Sequence, residues 1–155
     1  FSKNCLISVL EKEIEHDDKH ICLRAVKALG ELATDQALEV ITNKYLNDGE
    51  NLIYIINALI NANNVKSIEM LQKILNKLGE DGERSLVSVI VSQLIETNKQ
   101  KNINLLIDVL QHHQTPDWMQ TNILQQLGSI NSIEIKNIFV NRLKQAKQEK
   151  KIHII

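Results

Sequence analysis

Residues 21–46, ICLRAVKALGELATDQALEVITNKYL, carry apolar side chains at helical spacing on two consecutive segments. In the first, Ile21, Ala25, Ala28, Leu29 and Leu32 share a face, because side chains three and four positions apart lie one above the other on a helix. Gly30, near the end of this segment, suits the left-handed residue that stops a helix. The run ATDQ at 33–36 is a break. Beyond it, Leu38, Ile41 and Tyr45 form one stripe, while Gln36, Glu39 and Asn43 take the opposite side. Two amphipathic helices joined by a short turn make a hairpin. Its apolar flanks exceed what the two helices cover for each other, so other parts of the chain must close them.

The pattern recurs. Shifted by about 30 residues, ALINANNVKSIEML falls on ALGELATDQALEVI, matching Leu59 to Leu29, Ile68 to Leu38, Glu69 to Glu39 and Leu71 to Ile41. QLIETNKQKNINLL gives a third copy, with Leu94 in the first helix and Ile103 and Leu106 in the second. QLGSINSIEIKNIF gives a fourth, with Leu127, Gly128, Ile135 and Ile138. Its start is marked by Thr115 as a cap, Pro116 at the first helical position and Asp117 at the positive end of the dipole. Ahead of the first copy, NCLISVLEKEIEHDD places Leu6, Leu10 and Ile14 as the second helix of a pair lacking its first. The expected organisation is one all-α domain over 1–155: a partial repeat at 1–16, repeats near 17–47, 48–80, 81–113 and 114–148, and a tail at 149–155. A lone hairpin buries too few aliphatic side chains to offset the ordering of its backbone, whereas stacked hairpins shield one another.

Composition narrows the function classes. Of 155 residues, 43% are hydrophobic, which supplies a sizeable core, and 3% are aromatic, so that core is built from Leu, Ile, Val and Ala. Few aromatics favour helix-to-helix packing over a large aromatic-lined cavity. Eighteen basic and nineteen acidic residues leave a formal charge of −1, which removes the usual driver of non-specific nucleic-acid binding. Cys5 and Cys22 are too few for a disulfide scaffold and lack the spacing of a metal site. Cys22, by register, projects toward the outer side of its helix as surface or neighbour packing. The longest apolar-rich run, SLVSVIVSQLI, is shorter than the roughly 20 residues of a membrane span. The opening Phe1 and the half-repeat read as a segment cut from a longer polypeptide, with the cytoplasm as default compartment.

The stretch DKHICLRAVKALGELATDQALEVI resembles a HEAT-type repeat, specifically the bacterial HEAT-like class named after phycobilisome lyases. The residues that carry the resemblance are Asp18, Ile21, Arg24, Ala25, Ala28, Leu29 and Gly30. Later copies depart from it: Tyr54, Val89 and Asn122 replace Arg24, and Ile60 and Ile95 replace Gly30. The resemblance implies a right-handed α-solenoid, or superhelix, of about four stacked hairpins. It further implies that the second helices line a concave surface used chiefly to hold other proteins, as a regulatory or scaffold module of a larger bacterial protein. The projected ridge comprises Gln36, Glu39 and Asn43, then Lys66, Glu69 and Lys73, then Lys101, Asn104 and Asp108, and finally Lys136 and Lys144.

Chemistry-bearing motifs are sparse. His16 and His20 have a spacing that puts two imidazoles on one helical face, yet they fall in the inter-repeat turn without a Glu or Cys to complete a ligand set, so they read as exposed turn residues. His112 and His113 read the same way. GEDGE places carboxylates where a phosphate cradle needs neutral or basic groups. No nucleophile has a recognisable base and orienter around it, so no catalytic, cofactor-binding or metal residue is assigned, and the chain is read as a non-enzyme. The lyases that named the class, and DNA glycosylases built on HEAT-like helices, supply enzyme and nucleic-acid alternatives; an architectural spacer for a catalytic or membrane domain is a third. On the ridge, lysines alternate with carboxylates, which is poorly suited to tracking phosphates. Trp118 falls on a first helix, away from the ridge, as a core-edge residue. RLKQAKQEKK at 142–151 reads as a solvated helix end. Ile133 and Val140 project away from the stripe of Ile135, Ile138 and Phe139 and need a cover, which a further repeat, a second chain or a partner could supply; a following repeat is the plainer expectation, because Ile152, Ile154 and Ile155 read as its truncated start.

Overall fold

A computed structural model describes residues 2–48, 52–97, 99–112 and 114–152, with side chains at all of these but 45–48, 146–147 and 149–152. Within that range the chain is all-α, with nine helices and no strand among the described residues. They are α1 (Lys3–Glu13), α2 (Lys19–Leu32), α3 (Asp35–Asp48), α4 (Leu52–Ala62), α5 (Val65–Asp81), α6 (Arg84–Glu96), α7 (Gln100–Gln111), α8 (Asp117–Leu127) and α9 (Ile133–Ile152).

Short polar side chains start several of these helices by accepting hydrogen bonds from the otherwise unpaired first-turn amides. Ser2 Oγ accepts from the Cys5 N–H at 3.3 Å, and Asp18 Oδ1 from the His20 N–H at 2.8 Å. α5 has a reciprocal cap: Asn64 Oδ1 accepts from the Ser67 N–H at 2.8 Å, and Ser67 Oγ accepts from the Asn64 N–H at 2.9 Å. α2 and α4 end alike, on a left-handed residue: Ala33 at φ 50° and Asn63 at φ 44°. A cap follows each of them, Thr34 for α3 and Asn64 for α5. The two turns are thirty positions apart, the same offset that relates Leu29 to Leu59 (59 minus 29, and 63 minus 33). α5 stops at Gly82, φ 76°, where the absence of a Cβ removes the cost of the left-handed turn.

The helices pack in two files. α2 packs on α4, α4 on α6 and α6 on α8; α1 on α3, α3 on α5 and α5 on α7. Hairpin contacts α2–α3, α4–α5 and α6–α7 join one file to the other. One aliphatic core runs between them from Ile7 to Ile135, and Leu29, Leu38, Ile41, Leu59, Leu71, Leu94 and Leu106 are fully enclosed in it. The equivalence is incomplete at Ile68, which is only partly buried where Leu38 is fully buried.

Polar links join successive turns. Asn64 Nδ2 donates to the Ala33 carbonyl at 2.8 Å, and Lys101 Nζ to the Asn63 carbonyl at 3.2 Å, so the exposed carbonyls left by the two left-handed caps are each met by the following hairpin. Asn102, fully buried, donates to Thr97 Oγ1 at 2.6 Å and ties the α6–α7 turn.

The structure overturns several expectations from the sequence. Gly30 does not stop α2, which continues to Leu32; it lies where α2 meets α4, and a Cβ there would come within 2.6 Å of the Ala58 Cβ. Close approach, not a turn, is what this glycine serves. Thr115 does not cap α8: its hydroxyl donates backward to the Val109 carbonyl at 2.6 Å and closes the end of α7. Pro116, extended at ψ 146°, is itself the N-cap, and α8 begins one residue later at Asp117. Leu6 is 41% exposed, and the inward stripe of α1 is Ile7, Leu10 and Ile14 instead. Cys22 is buried in the core, not on the outer side of α2, whose flanks are covered by neighbouring helices. Arg142 is not a solvated tail residue: its guanidinium donates to Gln120 Oε1 at 2.6 Å and to the Leu110 carbonyl, fastening α9 to α7 and α8. Tyr45 and Ile152 lie outside the residues whose side chains are described, and His113, Ile154 and Ile155 outside the described residues altogether. Ile133 and Val140 are exposed, at 79% and 46%, as their register implies.

Candidate functional site

The eleven ridge residues stand on α3, α5, α7 and α9, and each is exposed except Lys66, which is half-buried. Their register follows from the buried stripe: in α3 the core takes Leu38 and Ile41, leaving Gln36, Glu39 and Asn43 outward. In α5 the core takes Met70, Leu71, Ile74 and Leu75, leaving Glu69 and Lys73 outward. In α7 it takes Leu105, Leu106, Val109 and Leu110, leaving Lys101, Asn104 and Asp108.

Part of this ridge comes together. Lys66 and Glu69 border one shallow depression of about 420 Å³ with Asp35, and Glu69, Lys101, Asn104 and Asp108 border a second of about 340 Å³. The two share Val65, which is 71% exposed, so an uncovered aliphatic side chain sits amid charges of both signs. Lys66 pairs with Glu39 at 3.1 Å across α3 and α5. That hydrogen bond, with the attraction of the same carboxylate, holds the Lys66 ammonium above the usual lysine range. Gln100 Nε2 donates to Asn104 Oδ1 at 2.9 Å and to Glu134 Oε2 at 3.2 Å, linking α7 to α9. Gln36, Glu39, Asn43, Lys73, Lys136 and Lys144 border neither depression.

The other file of helices carries a groove that the ridge projection does not include. Between α2 and α4 a half-open groove of about 360 Å³ runs over the Gly30–Ala58 contact, with Arg24 and Lys27 on one wall and Tyr54, Asn57 and Asn61 on the other. One sequence signal marks it. The position held by Arg24 in the first copy becomes Tyr54 and Val89 in the next two, and those side chains are 49% and 45% exposed, bulky groups at an outward position.

His16 Nδ1 accepts from the Asp18 N–H at 2.9 Å in the turn before α2, and His20 is exposed on α2. Among the described residues no three His, Cys, Asp or Glu side chains are grouped to hold a metal ion. Trp118 is partly buried at the edge of the core, with the Arg84 guanidinium 5.3 Å above its ring. No helix among the described residues is long and apolar enough to cross a membrane.

Comparison of the chain with models of protein families, with curated proteins and with solved structures finds no match.

Proposed function

We propose that the chain is a HEAT-like right-handed α-solenoid that serves as a protein-interaction or regulatory scaffold module within a larger bacterial protein. Its partner is a protein held on the surface of the second helices α3, α5 and α7. The observation that carries the reading is the uncovered Val65 between two depressions bordered by Asp35, Lys66 and Glu69 and by Lys101, Asn104 and Asp108. An exposed aliphatic anchor inside a rim of both charges has the anatomy of a protein contact, in which desolvated apolar area supplies affinity and the rim selects the partner. The packing of α2 on α4 on α6 on α8, beside α3 on α5 on α7, is the neighbour order a solenoid requires. Mixed charge argues against a nucleic-acid backbone as ligand, because each lysine's field is offset by a neighbouring carboxylate.

The test is a pull-down with the wild-type chain, repeated with Lys66→Glu, Lys73→Glu and Lys101→Glu together and with Val65→Asp alone. Lys66 and Lys101 also make internal contacts, so Lys73→Glu alone, at an exposed site, serves as the variant that leaves packing untouched. Loss of a recovered protein in the triple variant and in Val65→Asp supports the reading. Recovery unchanged by both rejects this surface, and a gel shift on nucleic acid that weakens steeply with salt would replace the proposed partner class.

A further inference from the structure

The α2–α4 groove lies on the opposite file from the ridge and is assigned no role by the reading above. Its walls differ in chemistry. On α2, Lys27 is engaged with Glu31 at 3.9 Å, whereas Arg24 has no ion-pair partner among the described residues. Arg24 is thus an exposed guanidinium outside any described ion pair, and its planar fork matches a carboxylate with two parallel hydrogen bonds. On α4, Asn57 and Asn61 are four residues apart, so both carboxamides stand on the groove side of the helix. A carboxamide both donates and accepts, which is the pairing a peptide group offers. Tyr54, half exposed, adds an aromatic face beside them. Between the walls the floor is flat because Gly30 and Ala58 carry almost no side chain.

We propose that this groove binds an acidic peptide segment with an aromatic anchor. Its carboxylate pairs with Arg24, its backbone hydrogen-bonds to Asn57 and Asn61, and its ring packs on Tyr54 over the Gly30–Ala58 floor. Charge complementarity selects the acid: Arg24 and Lys27 stand against the single carboxylate of Glu31 in the groove's lining, and a basic segment would meet Arg24 with like charge. The half-open form selects a chain over an enclosed small molecule. The exposed Val89, at the repeat position of Arg24 and Tyr54, offers apolar contact to a ligand that extends past the groove on the same outward file.

The probe is the capped peptide Glu-Glu-Phe-Glu-Glu, titrated by calorimetry and followed by amide chemical shifts, with Lys-Lys-Phe-Lys-Lys and free phenylpropionate as comparators. The acidic peptide should shift amides of α2 and α4 and leave those of α5 and α7 in place. Arg24→Glu should weaken it about tenfold or more, the loss of one attractive contact and the gain of a repulsive one. Tyr54→Ala should weaken it severalfold. Both side chains are exposed, and an unchanged helical circular dichroism spectrum establishes that the variants are folded. Absence of binding, equal binding of the lysine peptide or of phenylpropionate, shifts confined to α5 and α7, or indifference to Arg24→Glu would each overturn the proposal. Because the ridge substitutions change no residue of α2 or α4, and Val65→Asp and Lys73→Glu on α5 make no described contact with either, this result and that of the pull-down stand or fall separately.

Discussion

At the scale of single residues, two positions carry backbone demands that side-chain chemistry does not advertise. Gly30 sits against Ala58, and the atoms a new Cβ would meet are the Ala58 Cβ at 2.6 Å and Cα at 3.1 Å, neither of which can swing aside. Gly30→Ala gains up to about 1 kcal/mol in helix propensity and loses more to overpacking, so a net destabilisation on the order of 1–2 kcal/mol is expected in urea unfolding. Ala58→Gly in the same chain should recover part of that loss, a coupling that a double-mutant cycle measures. Ala33, at φ 50°, holds a conformation that costs an L-residue about 1 kcal/mol or more. Ala33→Gly should therefore raise the unfolding midpoint, with a gain of about 1 kcal/mol, whereas a β-branched residue there should lower it. Neither demand was legible in the sequence. A glycine in a helical pattern reads equally as a stop or as a close contact until the neighbouring helix is known, and nothing about an alanine announces a left-handed turn.

At the scale of elements, the apolar periodicity was sufficient to find the helices, and local chemistry fixed their ends less well. A break after Leu32, the pairing of α2 with α3 and most of the inward faces of α3, α5 and α7 follow from spacing alone, though the break is Ala33–Thr34 and not 33–36, because Asp35 and Gln36 already belong to α3. Thr115 shows why a cap is harder: a hydroxyl before Pro-Asp suits the start of α8, yet the carbonyl of Val109 on the preceding helix outcompetes that role. In α1, Leu10 and Ile14 face inward as spacing implies, but Leu6 and Ile7 are equally apolar and only the packing on α2 and α3 turns Ile7 inward and Leu6 out. The ridge was legible as a set of outward positions, but the depressions around Val65 were not, since they depend on how α5 lies against α7. Across α3 and α5, the Lys66–Glu39 pair has a pH signature. The ammonium is held above the usual lysine range in the folded chain, so its contribution is fully present below the ordinary lysine pKa and is lost as pH rises through the raised value. Titration of the Lys66 side chain by carbon NMR should end at higher pH in the wild-type chain than in Glu39→Gln, which removes both the hydrogen bond and the charge. The energy at stake is small, because Glu39 is exposed and its charge is screened by solvent.

At the scale of the whole molecule, one core is shared by successive hairpins, and no hairpin owns a closed interior. Leu29 and Leu38 are fully enclosed, yet the cover over α2 comes from α1 and α4, and that over α3 from α1 and α5. A peptide of residues 17–47 alone should therefore show little helix by circular dichroism at room temperature, and a peptide of 1–81 distinctly more per residue. Equal helicity per residue in the two would mean that the hairpin is self-sufficient. The all-helical class was legible from composition and period. The direction of the uncovered faces was not, because a surface row such as Arg24, Tyr54 and Val89 becomes visible only once the core has claimed the residues around it.

The scarcity of aromatic rings has an experimental corollary. Trp118 is the chain's sole indole, and it lies on α8 beneath Arg84 of α6, far along the chain from the opening hairpins. Its ultraviolet emission therefore reports on the later helices alone, while the far-ultraviolet signal sums over all of them. If heating loosens one end before the other, the two melting curves will separate, and the sign of the gap will tell which end lets go first.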